Sequence, residues 1–252
     1  MINVRWKNFE PERLLHLGLV IALAFMLPAC ASEQKIGKHL FILSGQSNMT
    51  GSVRDAFAER VQSRYGKENA VVVMRSRGGR GIRFWVADYR QPTGRGLTDK
   101  KTNSNGQEYK RLIEAVMAAA KDESFDTVGF IWMQGESDAN NRLSEVYEES
   151  FIKLIEQLEK DLGRDDLYFV IGRINDYKRS NPDNEHWRRV RESQVKLGNT
   201  RGNAWIDTDD LNGGSAKNPN GGSHFTREGY VSLGQRFADK AMELIDKQGV
   251  KQ

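Results

Sequence analysis

His39-Leu40-Phe41-Ile42-Leu43-Ser44-Gly45-Gln46-Ser47-Asn48-Met49 is the stretch on which the reading of the whole chain turns. Leu40, Phe41, Ile42 and Leu43 follow one another with no polar interruption. Such a run suits a strand buried on both faces better than a half-exposed one, which would alternate. The run ends at Ser44-Gly45, and the glycine permits a tight turn. That turn would set the hydroxyl of Ser47 just beyond the carboxyl end of a buried strand, where α/β proteins bind their ligands. Ser47 is therefore the candidate nucleophile. A Gly-x-Ser after a strand is by itself more often a turn or a helix cap, and Met49 stands where the Gly-x-Ser-x-Gly elbow has its second glycine.

Working outward, short apolar runs at 39–43, 70–74, 127–133, 167–171 and 203–206 read as strands. Stretches with helical spacing at 107–121, 143–162, 185–197 and 226–245 lie between or after them, the last opening with Thr226 and Glu228 in a helix-start pattern. Strands alternating with helices imply right-handed crossovers and a parallel sheet covered on both faces. The expected fold is α/β: a three-layer α/β/α sandwich around a roughly five-stranded parallel sheet. The irregular stretches 89–106 and 207–223 are too long for simple connections and are expected to shape a site.

A serine nucleophile needs a base. Of the four histidines, His16 lies in an N-terminal apolar run, and His39 and His186 stand at strand and helix starts with no neighbouring chemistry. His224, in Gly222-Ser223-His224-Phe225-Thr226 before the final helix, is left as the candidate. Two further segments end strands on the same sheet edge: Gly78-Gly79-Arg80-Gly81-Ile82 and Trp132-Met133-Gln134-Gly135-Glu136-Ser137-Asp138. Both can supply donors to an oxyanion, each worth roughly 3 to 4 kcal/mol. No Gly-Lys-Ser/Thr follows the glycine cluster, so it is not a nucleotide P-loop. Glu136 and Asp138 are expected to order their loop by accepting backbone N–H bonds or by pairing with Arg80 or Arg83. Trp132, Trp85 and Phe225 could stack on a sugar ring or belong to the core.

Composition excludes other classes. The 38 basic residues are scattered among 34 acidic ones, which argues against nucleic-acid binding. The densest basic segment, 186–191, reads as a solvated helix face. No His-Glu-x-x-His or cysteine–histidine cluster is present, so no metal or cofactor is expected. Arg5, Lys7 and Arg13 precede an apolar run at 14–27 that is short for a membrane span, the layout of an export signal. Leu27-Pro28-Ala29-Cys30 resembles the bacterial lipobox, whose cysteine is lipidated and becomes the first mature residue. The expectation is a signal peptide over 1–29, a tether over 30–37 and one domain over 38–247, exported and held at a bacterial membrane through lipid on Cys30. Cleavage after 29–31, leaving a soluble exported protein, is the alternative.

Through Gly45-Gln46-Ser47-Asn48-Met49, Gly78-Gly79-Arg80-Gly81-Ile82, Gln134-Gly135-Glu136-Ser137 and His224-Phe225, the chain resembles the SGNH hydrolase superfamily. Within it, the resemblance is to the sialate O-acetylesterase-like and acetylxylan-esterase-like carbohydrate esterases. It implies a flavodoxin-like fold and a serine esterase removing acetyl groups from xylan-type polysaccharide or sialic acid, without a cofactor. It implies Ser47 as nucleophile and His224 as base. The oxyanion hole would comprise the Ser47 amide, the Gly79 amide, with Gly78 as alternative, and the Gln134 side chain. Relatives commonly carry an aspartate three residues before the histidine, where this chain has Gly221. Asp209, Asp210, Asp138 or Glu136 could replace it, or a Ser-His dyad could act alone. Rival readings are an esterase or thioesterase for another acyl group and a glycan-binding lipoprotein without turnover.

Overall fold

The computed structural model describes residues 37–92, 104–177, 184–213 and 221–249. The signal, the lipobox with Cys30 and nearly all of the tether lie outside the described residues. Among the described residues no helix is long and apolar enough to cross a membrane.

Five strands, β1 (His39–Gly45), β2 (Ala70–Ser76), β3 (Thr127–Met133), β4 (Tyr168–Gly172) and β5 (Ala204–Ile206), form one sheet in the order β2-β1-β3-β4-β5. All four pairings are parallel, as the continuous apolar runs require. Helices α1 (Gly51–Tyr65) and α6 (Arg227–Gly249) pack together, with α6 against β3, β4 and β5. Helix α2 (Gln107–Ala119) packs on β2, while α4 (Tyr147–Leu162) and α5 (Glu185–Gly198) pack on each other, with α5 against β4 and β5. A single short turn of helix, α3 (Glu136–Asn140), follows β3 directly. The expected three-layer α/β architecture is the one observed.

Helix α1 has no counterpart among the expected helices. Its buried residues, Val53, Phe57, Val61 and Tyr65, recur only every fourth position in an otherwise charged stretch. That stripe is narrower than the three to four apolar residues per two turns that mark an amphipathic helix. Tertiary packing supplies the rest: Thr50 caps the N-terminus by accepting from the Val53 N–H, and the buried stripe lies against the sheet and α6. The final helix begins as read, with Thr226 Oγ1 accepting from Gly229 N–H at 2.9 Å, but runs to Gly249, past the expected end of the domain.

The sheet reverses its direction of winding at β1, whose neighbours are β2 on one side and β3 on the other. In doubly wound sheets the crevice at such a switch point is where ligands bind. Register brings Gly45 level with Ser76 on β2 and with Met133 on β3, so the three blocks singled out in the sequence leave the sheet side by side.

Candidate active site

Ser47 sits in the turn between β1 and α1, half-buried. Two backbone bonds fix it: Gln46 N–H donates to Met133 O at 2.9 Å and Met49 N–H to Gln46 O at 3.0 Å. Gly45 makes the approach to β3 possible. Its φ is +146°, and a Cβ there would lie 2.0 Å from Met133 O.

His224 comes from the loop before α6, and its Nε2 lies 3.0 Å from Ser47 Oγ. This is hydrogen-bonding distance for a nucleophile and its base. The other two described histidines lie outside this cleft. His39 is buried against Tyr65 with Nδ1 2.8 Å from Thr127 Oγ1, and burial lowers its pKa. His186 Nδ1 is 2.7 Å from Ser144 Oγ.

The pair opens into a cleft of about 450 Å³ lined by Gln46, Gly78, Gly79, Glu136, Ser137, Asn140, Asn141 and Ser223 besides Ser47 and His224. Every lining residue except Gly78 and Gly79 carries a polar side-chain group. Gly79 stands at the tip of the loop after β2 with φ +69°, and nothing lies within 4 Å of where its Cβ would be. Among the described residues, no backbone acceptor pairs with the N–H of Ser47, Gly78 or Gly79. The cleft therefore carries unspent donors beside the serine, as stabilisation of a developing oxyanion requires.

Gln134 differs from what the resemblance implies. It is fully buried and does not line the cleft. Its Nε2 donates inward, to Asp138 Oδ2, to Gln46 Oε1 at 3.2 Å and to Arg80 O at 3.2 Å. With three acceptors around two N–H groups, the expected oxyanion role of its side chain is not what this arrangement presents.

The candidates for a third triad member are all engaged elsewhere. Asp209 pairs with Arg173 and Arg191, and Asp210 with Arg236. Asp138 accepts from Ile82 N–H and Gln134, and Glu136 Oε1 from Asn48 Nδ2 at 2.6 Å. No carboxylate bonds His224 Nδ1 among the described residues, and 214–220 contains no acidic residue. Gly221 explains why the usual aspartate is missing at its own position. It has φ +60°, and a Cβ there would meet Asn212 O at 2.4 Å. Gly221→Asp is therefore expected to lower rather than raise activity, and to cost about 2 kcal/mol or more from left-handed strain and the clash. Thermal unfolding and kcat/KM of the variant check this.

The His224 loop is held by two asparagines to which the sequence reading gave no role. Asn48 Nδ2 donates to Ser223 O at 2.8 Å and to Glu136, while Tyr230 Oη donates to Asn48 Oδ1 at 3.2 Å. Asn175, just past β4, donates to Gly222 O at 3.0 Å. Asn48 belongs to the quoted block, but Asn175 has no motif around it, and only the fold brings it here.

Glu136 and Asp138 do order their loop by accepting N–H bonds. Neither forms an ion pair with Arg80 or Arg83, whose guanidinium groups lie over the Phe84 ring. Burial pushes the Glu136 carboxyl up from 4.5 to about 7 and that of Asp138 from 3.8 to about 6. The folded state thus holds these protons more tightly than the unfolded chain. The resulting stabilisation is complete below the unfolded values of 3.8 and 4.5 and is lost as pH rises through 6 and 7. Urea unfolding across that range should show stability falling with pH, and Glu136→Gln, which keeps an acceptor for Asn48, should flatten the fall.

The aromatic residues belong to the core. Trp85 and Trp132 are fully buried and meet edge to face at 5.2 Å, with Trp85 Nε1 donating to Ser44 Oγ at 2.9 Å. Phe225 is buried against Tyr230. None is offered to a sugar in the cleft.

Residues 52–243 match the family model described as carbohydrate esterase, sialic acid-specific acetylesterase. The span contains Gly79, Gln134 and His224, and Ser47 lies just upstream of it. No curated protein matches the chain. Among solved structures, a protein from Arabidopsis thaliana is similar at 20% identity and a TM-score of 0.58, over 82% of this chain and 98% of that one. A carbohydrate acetylesterase from Xanthomonas citri is similar at 18% identity and a TM-score of 0.58, over 82% of this chain and 56% of that one. Est24, a carbohydrate acetylesterase from Sinorhizobium meliloti, is similar at 14% identity and a TM-score of 0.53, over 82% and 99%. At these identities the structures show a shared fold, whereas the family match covers most of the chain and includes three of its four site blocks. The chain belongs to the family of carbohydrate esterases described as sialic acid-specific acetylesterases, and is a carboxylic ester hydrolase.

Proposed function

We propose that the protein removes acetyl groups from O-acetylated carbohydrate, sialic acid or a xylan-type polysaccharide, through Ser47 and His224. The observation that carries this is the 3.0 Å contact between Ser47 Oγ and His224 Nε2 at the sheet's switch point, beside unspent backbone N–H groups. His224 takes the Ser47 proton as Oγ bonds to the acetyl carbon. The N–H groups of Ser47 and Gly79 receive the oxyanion. Collapse of the tetrahedral adduct breaks the bond to the sugar oxygen, which leaves with the proton from His224. Water then attacks the acetyl-serine by the same route, and acetate departs.

With no carboxylate on Nδ1 among the described residues, the base acts as one half of a dyad, positioned by the bonds that Asn48 and Asn175 make to backbone carbonyls of its loop. The hydroxyl, carboxamide and carboxyl groups among the lining residues can hydrogen-bond a substrate rich in hydroxyl groups. Acetate release from acetylated sialic acid, acetylated xylan and phenyl acetate by the folded domain tests the assignment. Failure on every acetyl ester, with turnover of longer acyl or thioester substrates, would transfer it to another acyl group.

We further propose export and anchoring at a bacterial membrane through lipid on Cys30, on the strength of the Leu27-Pro28-Ala29-Cys30 sequence behind a basic and then apolar segment. Metabolic labelling with a radioactive fatty acid in an expressing bacterium should mark the wild type and leave Cys30→Ser unlabelled. Labelling of neither would sink the proposal.

A further inference from the structure

Gln46 is only 5% exposed, yet it lines the cleft beside Ser47. Its Oε1 accepts from the Ser137 backbone N–H at 3.1 Å and from Gln134 Nε2 at 3.2 Å. Two donors on that atom decide which end of the carboxamide is oxygen, so the NH₂ group is turned away from them. No described residue accepts from it.

The orientation is set further back. Asp138 Oδ2, which also accepts from Ile82 N–H at 2.9 Å, takes an N–H of Gln134, and that forces the Gln134 amide to present its nitrogen to Gln46. The chain Asp138, Gln134, Gln46 thus has one polarity, with its last donor at the cleft. The Gln46 NH₂ is not among the buried polar atoms that lack a partner, so it opens to the cleft and is free to donate to a group that enters it.

We propose that Gln46 is the side-chain donor of the oxyanion hole: its Nε2 donates to the ester carbonyl oxygen together with the N–H groups of Ser47 and Gly79. Gln134 and Asp138 are then positioning residues that act through it. The inference rests on the esterase reading above. Gly79 follows β2, Gln46 and Ser47 follow β1, and Gln46 is pinned to the loop after β3 by the Ser137 N–H, so the three donors come from two adjacent strand ends, braced by the third, in register at Ser76, Gly45 and Met133. A ground-state contact to the sugar would lower KM alone, whereas a donor to the developing charge raises kcat.

Gln46→Glu keeps the inward acceptor oxygen and replaces only the cleft-facing NH₂, and Gln46→Met removes the donor without adding charge. Both should lose about 10² to 10³ in kcat with KM changed by less than about threefold, on phenyl acetate and acetylated sugar alike. Inhibition by methylboronic acid, whose serine adduct carries a tetrahedral anion, should weaken in parallel. Far-UV circular dichroism and thermal unfolding confirm that each variant is folded, and Gln46→Ser serves if Gln46→Met is not. Variants within threefold of wild type in kcat, or losses confined to KM or to the carbohydrate substrate, overturn the inference while leaving the esterase reading intact. A folded wild type inert on every ester overturns both.

Discussion

Ser47→Ala should reduce acetate release by about 10⁴-fold or more while leaving the fold unchanged, and His224→Ala should do nearly the same. The two act as one unit, because Ser47 is a poor nucleophile until His224 accepts its proton across the 3.0 Å contact. Removing either should therefore cost about as much as removing both, and the double variant should be no worse than Ser47→Ala. What remains should be the contribution of the N–H donors around the carbonyl oxygen. Steady-state kinetics on phenyl acetate for the wild type and the three variants checks this. Full activity in Ser47→Ala would remove the acyl-serine from the mechanism, and multiplicative losses in the double variant would show the two side chains working separately.

Gly45→Ala should be the most destabilising single-methyl change near the site. A Cβ at this position would stand 2.0 Å from Met133 O and 2.6 Å from Met133 C, both backbone atoms that no rotamer change can move. With φ at +146°, the residue also occupies a conformation open essentially only to glycine. Relief requires separating β1 from β3 where Gln46 N–H donates to Met133 O, and that separation would move Ser47. The expected cost is about 4 kcal/mol, with loss of activity in whatever folded fraction survives. Urea unfolding monitored by tryptophan fluorescence reads the first, and active-site titration of the soluble protein the second. A loss under about 1 kcal/mol would show that β1 and β3 can part without penalty.

Placing the molecule in its family depends on blocks that sit at strand ends, and strand ends were legible because continuous apolar runs mark parallel strands. Ser47 and His224 could be named from residue type alone: one serine after the first strand, one histidine left after elimination. Helix α1 was not legible, because its apolar stripe of Val53, Phe57, Val61 and Tyr65 is one residue per turn and gains its stability from α6 and the sheet. The direction in which Gln134 points was not legible either. A motif assigns a residue to a strand end, but whether its amide faces the cleft depends on which acceptors surround it, here Asp138, Gln46 and Arg80 O.

From residue order alone came the parallel α/β sandwich, the edge of the sheet that holds the site, and the serine and histidine that meet there. These follow from local periodicity and from the chemistry that each residue type can perform. Only the tertiary structure decided that Asp209 and Asp210 serve ion pairs rather than the imidazole, that Gly221 leaves no room for the missing aspartate, and that Gln46 lines the cleft while Gln134 does not. The reason is physical: a hydrogen bond goes to whichever partner packing brings within about 3 Å, and sequence spacing does not set that distance between segments far apart in the chain.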